Sequence, residues 1–136
     1  MLAPKKTKHR KSFKGRRSGK GVATNKRNID FGSFGMKAVE EGWVTSRQIE
    51  ATRRVIAKSL QKGGKIWIRI FPDKPVTKKG GEIGMGGGKG SVDHYVSIVK
   101  IGMMLFEMEG ISADKAKEAI ESAGHKLPIK VKFVEK

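Results

Sequence analysis

Two groups of residues in this 136-residue chain could do chemistry, and both point toward phosphate. The first is residues 80–90, which read Gly-Gly-Glu-Ile-Gly-Met-Gly-Gly-Gly-Lys-Gly. Gly84, Gly86, Gly88 and Gly90 fall at every second position, and in an extended chain alternate residues face one side. One edge of such a loop is bare backbone. Bare backbone can approach a ligand closely and present amides to phosphate or base edges. Lys78, Lys79 and Lys89 supply charge around it, and Met85 sits among the glycines. A nucleotide-hydrolysing loop does not match. The signature G-x-x-x-x-G-K-[ST] requires Gly at 83 and Ser or Thr at 90, where this chain has Ile83 and Gly90. The dinucleotide fingerprint G-x-G-x-x-G fails as well, meeting Lys89 from Gly84 and Ser91 from Gly86. Strand-like residues follow the loop, so no helix N-terminus is presented to a phosphate.

The second group is the N-terminal arm, residues 1–29. It carries Lys5, Lys6, Lys8, Arg10, Lys11, Lys14, Arg16, Arg17, Lys20, Lys26 and Arg27, with His9 among them, and no carboxylate before Asp30. It has few apolar groups and strong self-repulsion, so burial cannot offset the entropy of ordering it alone. A polyanion with closely spaced charges would order it, and each neutralised phosphate releases condensed counterions. Of the net charge of +17, the arm's eleven cations leave +6 for residues 30–136. That is a basic arm on one ordinary mixed-charge domain, large enough for one modest core.

Other chemistries find little support. His9, His94 and His125 are scattered without metal-ligand spacing, and there is no cysteine, so neither a thiolate site nor a disulfide is expected. No cofactor is implied. No apolar run approaches the roughly 20 residues that span a bilayer. The basic start is not followed by the apolar core of a signal peptide; a transit peptide is the weaker rival, because Gly- and Lys-rich text forms no amphipathic helix.

The elements that position these groups follow from periodicity. Phe31–Val39 reads as an extended entry segment. Thr45-Ser46-Arg47-Gln48 matches a capping box and opens a helix with Ile49, Thr52, Ile56 and Leu60 on one face. Arg47, Arg54 and Lys58 lie opposite as a phosphate-facing ridge with Glu50 nearby, and Gly63-Gly64 is expected to end the helix in a left-handed cap. Lys65–Phe71 alternates as a strand: Ile66, Ile68 and Ile70 on one side, Trp67, Arg69 and Phe71 on the other. The aromatics could stack on RNA bases or cover the sheet's second side; covering is favoured, with Arg69 reserved for RNA. Pro72 and Pro75 stop that strand, and a loop runs over 73–91. Tyr95–Val99 and Met104–Met108 read as a hairpin turning at Gly102, with the methionines filling the core. Ser112 caps a second helix over Ala113–Ala123 with Ala116, Ala119, Ile120 and Ala123 inward, and Gly124 closes it. Ile129–Val134 is the last strand. The order predicts an α+β fold, a single-domain α/β sandwich with two helices on a mostly antiparallel sheet.

Three stretches together resemble bacterial-type large-subunit ribosomal protein sixteen. They are Met1-Leu2-Ala3-Pro4-Lys5-Lys6-Thr7-Lys8 running into Arg10-Lys11; Ile49-Glu50-Ala51 through Gly64-Lys65-Ile66-Trp67-Ile68-Arg69-Ile70-Phe71-Pro72-Asp73-Lys74-Pro75; and Met85-Gly86-Gly87-Gly88-Lys89-Gly90. Phe106-Glu107-Met108 and Lys126-Leu127-Pro128-Ile129-Lys130 extend the third. The Trp strand entering Phe-Pro-Asp-Lys-Pro is the most specific. The chain departs from the family at Gly84, where an Arg is usual, at His94-Tyr95, where an aromatic pair is usual, and at Lys79-Gly80-Gly81, which lacks a Pro.

The resemblance implies a structural ribosome component and no enzyme. Similar proteins have an α/β sandwich fold and bind large-subunit ribosomal RNA near the peptidyl transferase centre. They contact transfer RNA in the aminoacyl site and help organise that site late in assembly. The expected partners are therefore ribosomal RNA, tRNA and neighbouring ribosomal proteins, with no membrane and no homo-oligomer. The expected location is the ribosome of the cytoplasm, or of an organelle matrix. The arm and helix ridge would hold ribosomal RNA, and the segment Lys78–Gly90 would reach the functional core. The alternative is a free nucleic-acid-binding or assembly factor that does not stay in the mature ribosome.

Overall fold

The computed structural model describes residues 2–15, 20–60 and 63–136. In chain order the elements are β1 (Phe34–Ala38), β2 (Gly42–Thr45), α1 (Ser46–Ser59), β3 (Lys65–Ile68), β4 (Lys74–Lys78), β5 (Ser91–Val99), β6 (Met104–Glu109), α2 (Ala113–Gly124) and β7 (Val131–Glu135). The strands form a four-stranded sheet, β3-β6-β1-β7, and a three-stranded sheet, β2-β5-β4. Every neighbouring pair within them is antiparallel. The helices pack on each other, with α2 against β7 and β1 and α1 against β3 and β2. This is a single-domain α+β fold.

The helix faces follow the sequence pattern. Thr45 accepts from the Gln48 amide at 3.2 Å and the Gln48 side chain accepts from the Thr45 amide at 2.9 Å, so the capping box is complete. Ile49, Thr52 and Ile56 are buried on α1, and Ala116, Ala119, Ile120 and Ala123 on α2. Thr52 is satisfied by donating to the Gln48 carbonyl at 2.7 Å. The small α2 face lets that helix lie close to the sheet and to α1. Met36, Leu105, Phe106 and Met108 complete the core between helices and strands. Truncating Ile49 or Ile56 to Ala, both wholly buried, would cost about 2–5 kcal/mol.

Several sequence expectations require correction. Residues Tyr95–Val99 and Met104–Met108 are not hairpin partners: β5 pairs with β2 and β4, whereas β6 pairs with β1 and β3. Gly102, at φ 90°, carries the chain from one sheet to the other. Pro75 does not lie in a loop but within β4, an edge strand, where its missing N–H need not join a ladder. The glycine-rich loop is thus shorter than 73–91, running over 79–90 between β4 and β5. Strand β2 is too short for its alternation to be read. The α1 helix ends at Ser59 with Leu60 as an extended C-cap, not at a left-handed glycine; Gly63 does have φ 95° but lies beyond the helix. Ser112 occupies the α2 N-cap without a side-chain capping bond. Gly124 ends α2 for packing, since a Cβ there would come within 2.7 Å of Val131.

Candidate nucleic-acid interface

The arm enters the domain through a buried ionic latch. Glu107, on central strand β6, is fully buried. Its Oε1 accepts from three successive amides, Asp30 and Phe31 at 2.9 Å and Gly32 at 3.1 Å. Its Oε2 accepts from the Arg69 guanidinium, which also donates to Asp30 at 3.0 Å and lies 5.0 Å from the centre of the Phe31 ring. Phe31 in turn stacks on Trp67, with centroids 6.2 Å apart. Burial alone would push the Glu107 carboxyl up. The Arg69 bond and the Phe31 and Gly32 amides outweigh burial and hold it below the ordinary carboxylate value. Burial likewise opposes the charge on Arg69, and Glu107 and Asp30 together raise its pKa.

The rest of the arm touches the domain at intervals. Leu2 packs against the core cluster. Ala23 is buried, its amide donating to the Ile101 carbonyl at 2.8 Å, and the Gly21 amide donates to Glu41 at 2.8 Å. Between these, residues 11–14 meet the glycine loop. Lys11 Nζ donates to the Lys89 carbonyl at 3.0 Å, and Lys89 Nζ donates to the Ser12 carbonyl at 2.6 Å. Lys74 Nζ donates to the Phe13 and Lys14 carbonyls at 3.0 and 2.9 Å. The arm, the start of β4 and the loop, 60 to 78 residues apart in sequence, therefore form one cationic surface.

The loop itself is not the regularly alternating edge expected from its glycine spacing. Gly86, Gly87 and Gly88 have consecutive φ values of 99°, 75° and 90°, so the chain coils through the left-handed region, where side chains are strained. The bare-backbone character remains. A Cβ added at Gly84 or at any of these three would meet nothing within 4 Å. Gly90 differs: a Cβ there would come within 2.8 Å of the Lys78 carbonyl, so it permits closure of the β4–β5 connection. Met85 is fully exposed at the loop's apex. Lys79 Nζ donates to the Gly86 carbonyl at 2.7 Å, bracing the turn from within.

On α1, Arg47, Arg54 and Lys58 are exposed as the helical phase requires. Glu50 binds Arg53 at 2.5 and 2.9 Å and Arg54 at 3.2 Å. The Arg53 bond, more than that of Arg54, holds the Glu50 carboxyl down at about 2. Arg54 thus enters the ridge partly neutralised.

The structure brings some of the sequence-predicted residues together and separates others. Lys5, Lys6, Lys8, His9, Arg10, Lys11, Lys14 and Lys20 are exposed along the arm, while Arg16 and Arg17 lie outside the described residues. Lys78 and Lys89 are exposed. Arg69 is the exception: its side chain is 12% exposed and committed to two carboxylates, which favours a latch over a phosphate contact. Trp67 is covered by Phe31, whereas Phe71 lies beyond β3 and is 45% exposed, so the two aromatics do not cover the sheet together as expected. Sequence reasoning missed Glu107, Lys74 and Phe13. The signals available were slight: a lone aromatic in a cationic arm, and an acid within an otherwise apolar strand.

Residues 4–134 match the family described as Ribosomal protein L16p/L10e. The chain is also 54% identical over 134 residues to the large ribosomal subunit protein uL16c of Cyanidium caldarium, covering 98% of this chain and 94% of that one. The match runs through arm, latch and loop alike, and the chain belongs to the ribosomal protein L16p/L10e family.

Proposed function

We propose that the protein anchors to large-subunit ribosomal RNA through its arm and the α1 ridge, and turns its glycine loop toward aminoacyl-site tRNA near the peptidyl transferase centre. Family membership makes it a structural constituent of the large ribosomal subunit, an RNA-binding part of the translation machinery and not an enzyme. The observation that carries the finer reading is the joint between residues 11–14 and Lys89. It sets exposed lysines beside a loop whose Gly84, Gly86, Gly87 and Gly88 leave the backbone open to RNA. Such contacts position the protein without reading sequence. Arg69 has no part in this surface; its role is to hold the arm's root.

The partners in this reading are ribosomal RNA, tRNA and neighbouring ribosomal proteins, and the place of work is the ribosome, in cytoplasm or organelle matrix. No helix among the described residues is long and apolar enough to cross a membrane. Sucrose-gradient sedimentation at high salt tests retention. Stoichiometric protein in mature large subunits is the expected result, and protein confined to lighter precursors would mark an assembly factor instead. The loop's part is tested by Gly86→Val or Gly88→Val in reconstituted subunits. Aminoacyl-site tRNA binding should fall several-fold with peptidyl-site binding unchanged, and equal binding at both sites would remove tRNA from the proposal.

A further inference from the structure

We propose that Phe13 is a stacking platform for one unpaired RNA base, whose flanking phosphates lie on Lys11, Lys14 and Lys89. The inference rests on the RNA interface proposed above and gives part of it a ligand class, a single-stranded nucleotide. Phe13 is 91% exposed, although the backbone around it is tied down. Lys89 holds the Ser12 carbonyl, and Lys74 holds those of Phe13 and Lys14. The ring is thus held in place at the surface, beside a row of ammonium groups.

The surroundings select the partner. Lys89 Nζ lies 5.5 Å from the centre of the Phe13 ring. A hollow of about 190 Å³ is lined by Lys11, Ser12, Phe13 and Lys89. An adjoining hollow of about 300 Å³ shares Ser12 and Lys89 and includes Lys14, Lys74 and Trp43. Lys74 Nζ sits 5.0 Å from the centre of the Trp43 ring, so a second aromatic lies under a cation in the same groove. No carboxylate among the described residues lines either hollow. An apolar protein side chain would gain nothing from four neighbouring ammonium groups. An unpaired nucleotide uses both parts, its base on the ring and its phosphates on the lysines. A duplex cannot, because its bases stay stacked inside.

The test uses the full chain with two RNA probes, a short single-stranded oligouridylate carrying one 5-iodouridine and a duplex of equal length. Phe13→Ala should weaken single-strand binding about tenfold, leave duplex affinity unchanged and keep the salt slope, because no phosphate contact is lost. Phe13→Trp should restore binding, and the iodouridine photocrosslink should map to Phe13. Unchanged single-strand affinity in Phe13→Ala, or equal losses on both probes, overturns the stacking site while the wider RNA interface stands. Intact RNA affinities combined with poor incorporation of Phe13→Ala into subunits would assign the ring to a neighbouring protein and equally overturn it. Salt-independent binding of both probes by the wild-type chain would instead remove the RNA interface itself.

Discussion

The arm is held to the domain in two chemically opposite ways. At its root, residues 30–32 close around a buried carboxylate that is paired with Arg69 and saturated by amides. Further out, residues 11–14 rest on exposed lysines that donate to backbone carbonyls. The first arrangement excludes water and has no other partner to choose. The second offers ammonium groups bonds that phosphate oxygens would make more strongly, since both partners would then be charged. One contact belongs to the fold; the other leaves further ammonium donors over for RNA.

The largest test of that contrast is Arg69→Ala. It leaves Glu107 charged, buried and without its cation, and should cost about 3–5 kcal/mol in urea denaturation. A loss below about 1 kcal/mol would show that the amides alone hold the root. A smaller effect is expected within the loop. Gly90→Ala drives a Cβ against the Lys78 carbonyl and should cost about 1–3 kcal/mol, whereas Gly84→Ala, in open space, should stay within about 0.5 kcal/mol. Equal thermal shifts would mean that the loop does not divide into a structural end and an exposed apex.

Acid titration separates the two contacts differently. Glu107 titrates below its ordinary value of 4.5 in the folded chain. Its stabilisation is therefore complete above that value and is lost as pH falls from there through the lower folded value. Glu107→Gln should flatten this part of the stability profile; an unaltered profile would place the acid sensitivity elsewhere. The smallest stability effect is expected at the outer contact. Changing Lys11, Lys14 and Lys89 together to Gln should alter stability by no more than about 0.5 kcal/mol, yet lower the salt slope of RNA binding by about 2–3.

What could be read from the sequence was local. The capping box of α1, the Ile49/Thr52/Ile56 face and the four inward residues of α2 follow from spacing within a few turns. The location of the glycine loop and the cationic arm was equally plain. The division into two sheets was not, because β5 and β6, neighbours in sequence, do not pair with each other: β5 joins β4 and β2, and β6 joins β1 and β3. Glu107 was hidden because its partners lie 38 and 75 to 77 residues distant. Arg69 shared an alternating face with aromatics and looked outward-facing until Phe31 was seen to cover that face. The alternation of glycines suggested an extended edge, but left-handed backbone at Gly86–Gly88 abolishes a two-residue repeat.

Strand β4 carries a consequence for the chain before it meets RNA. It is the outer member of the three-stranded sheet, and its sequence is Lys-Pro-Val-Thr-Lys. An unprotected outer strand can template aggregation by recruiting a strand from another molecule. Here an arriving strand would find no N–H at Pro75 and a lysine at each end, on a protein already carrying +17. The cations that suit the chain to RNA thus also discourage self-association through that edge.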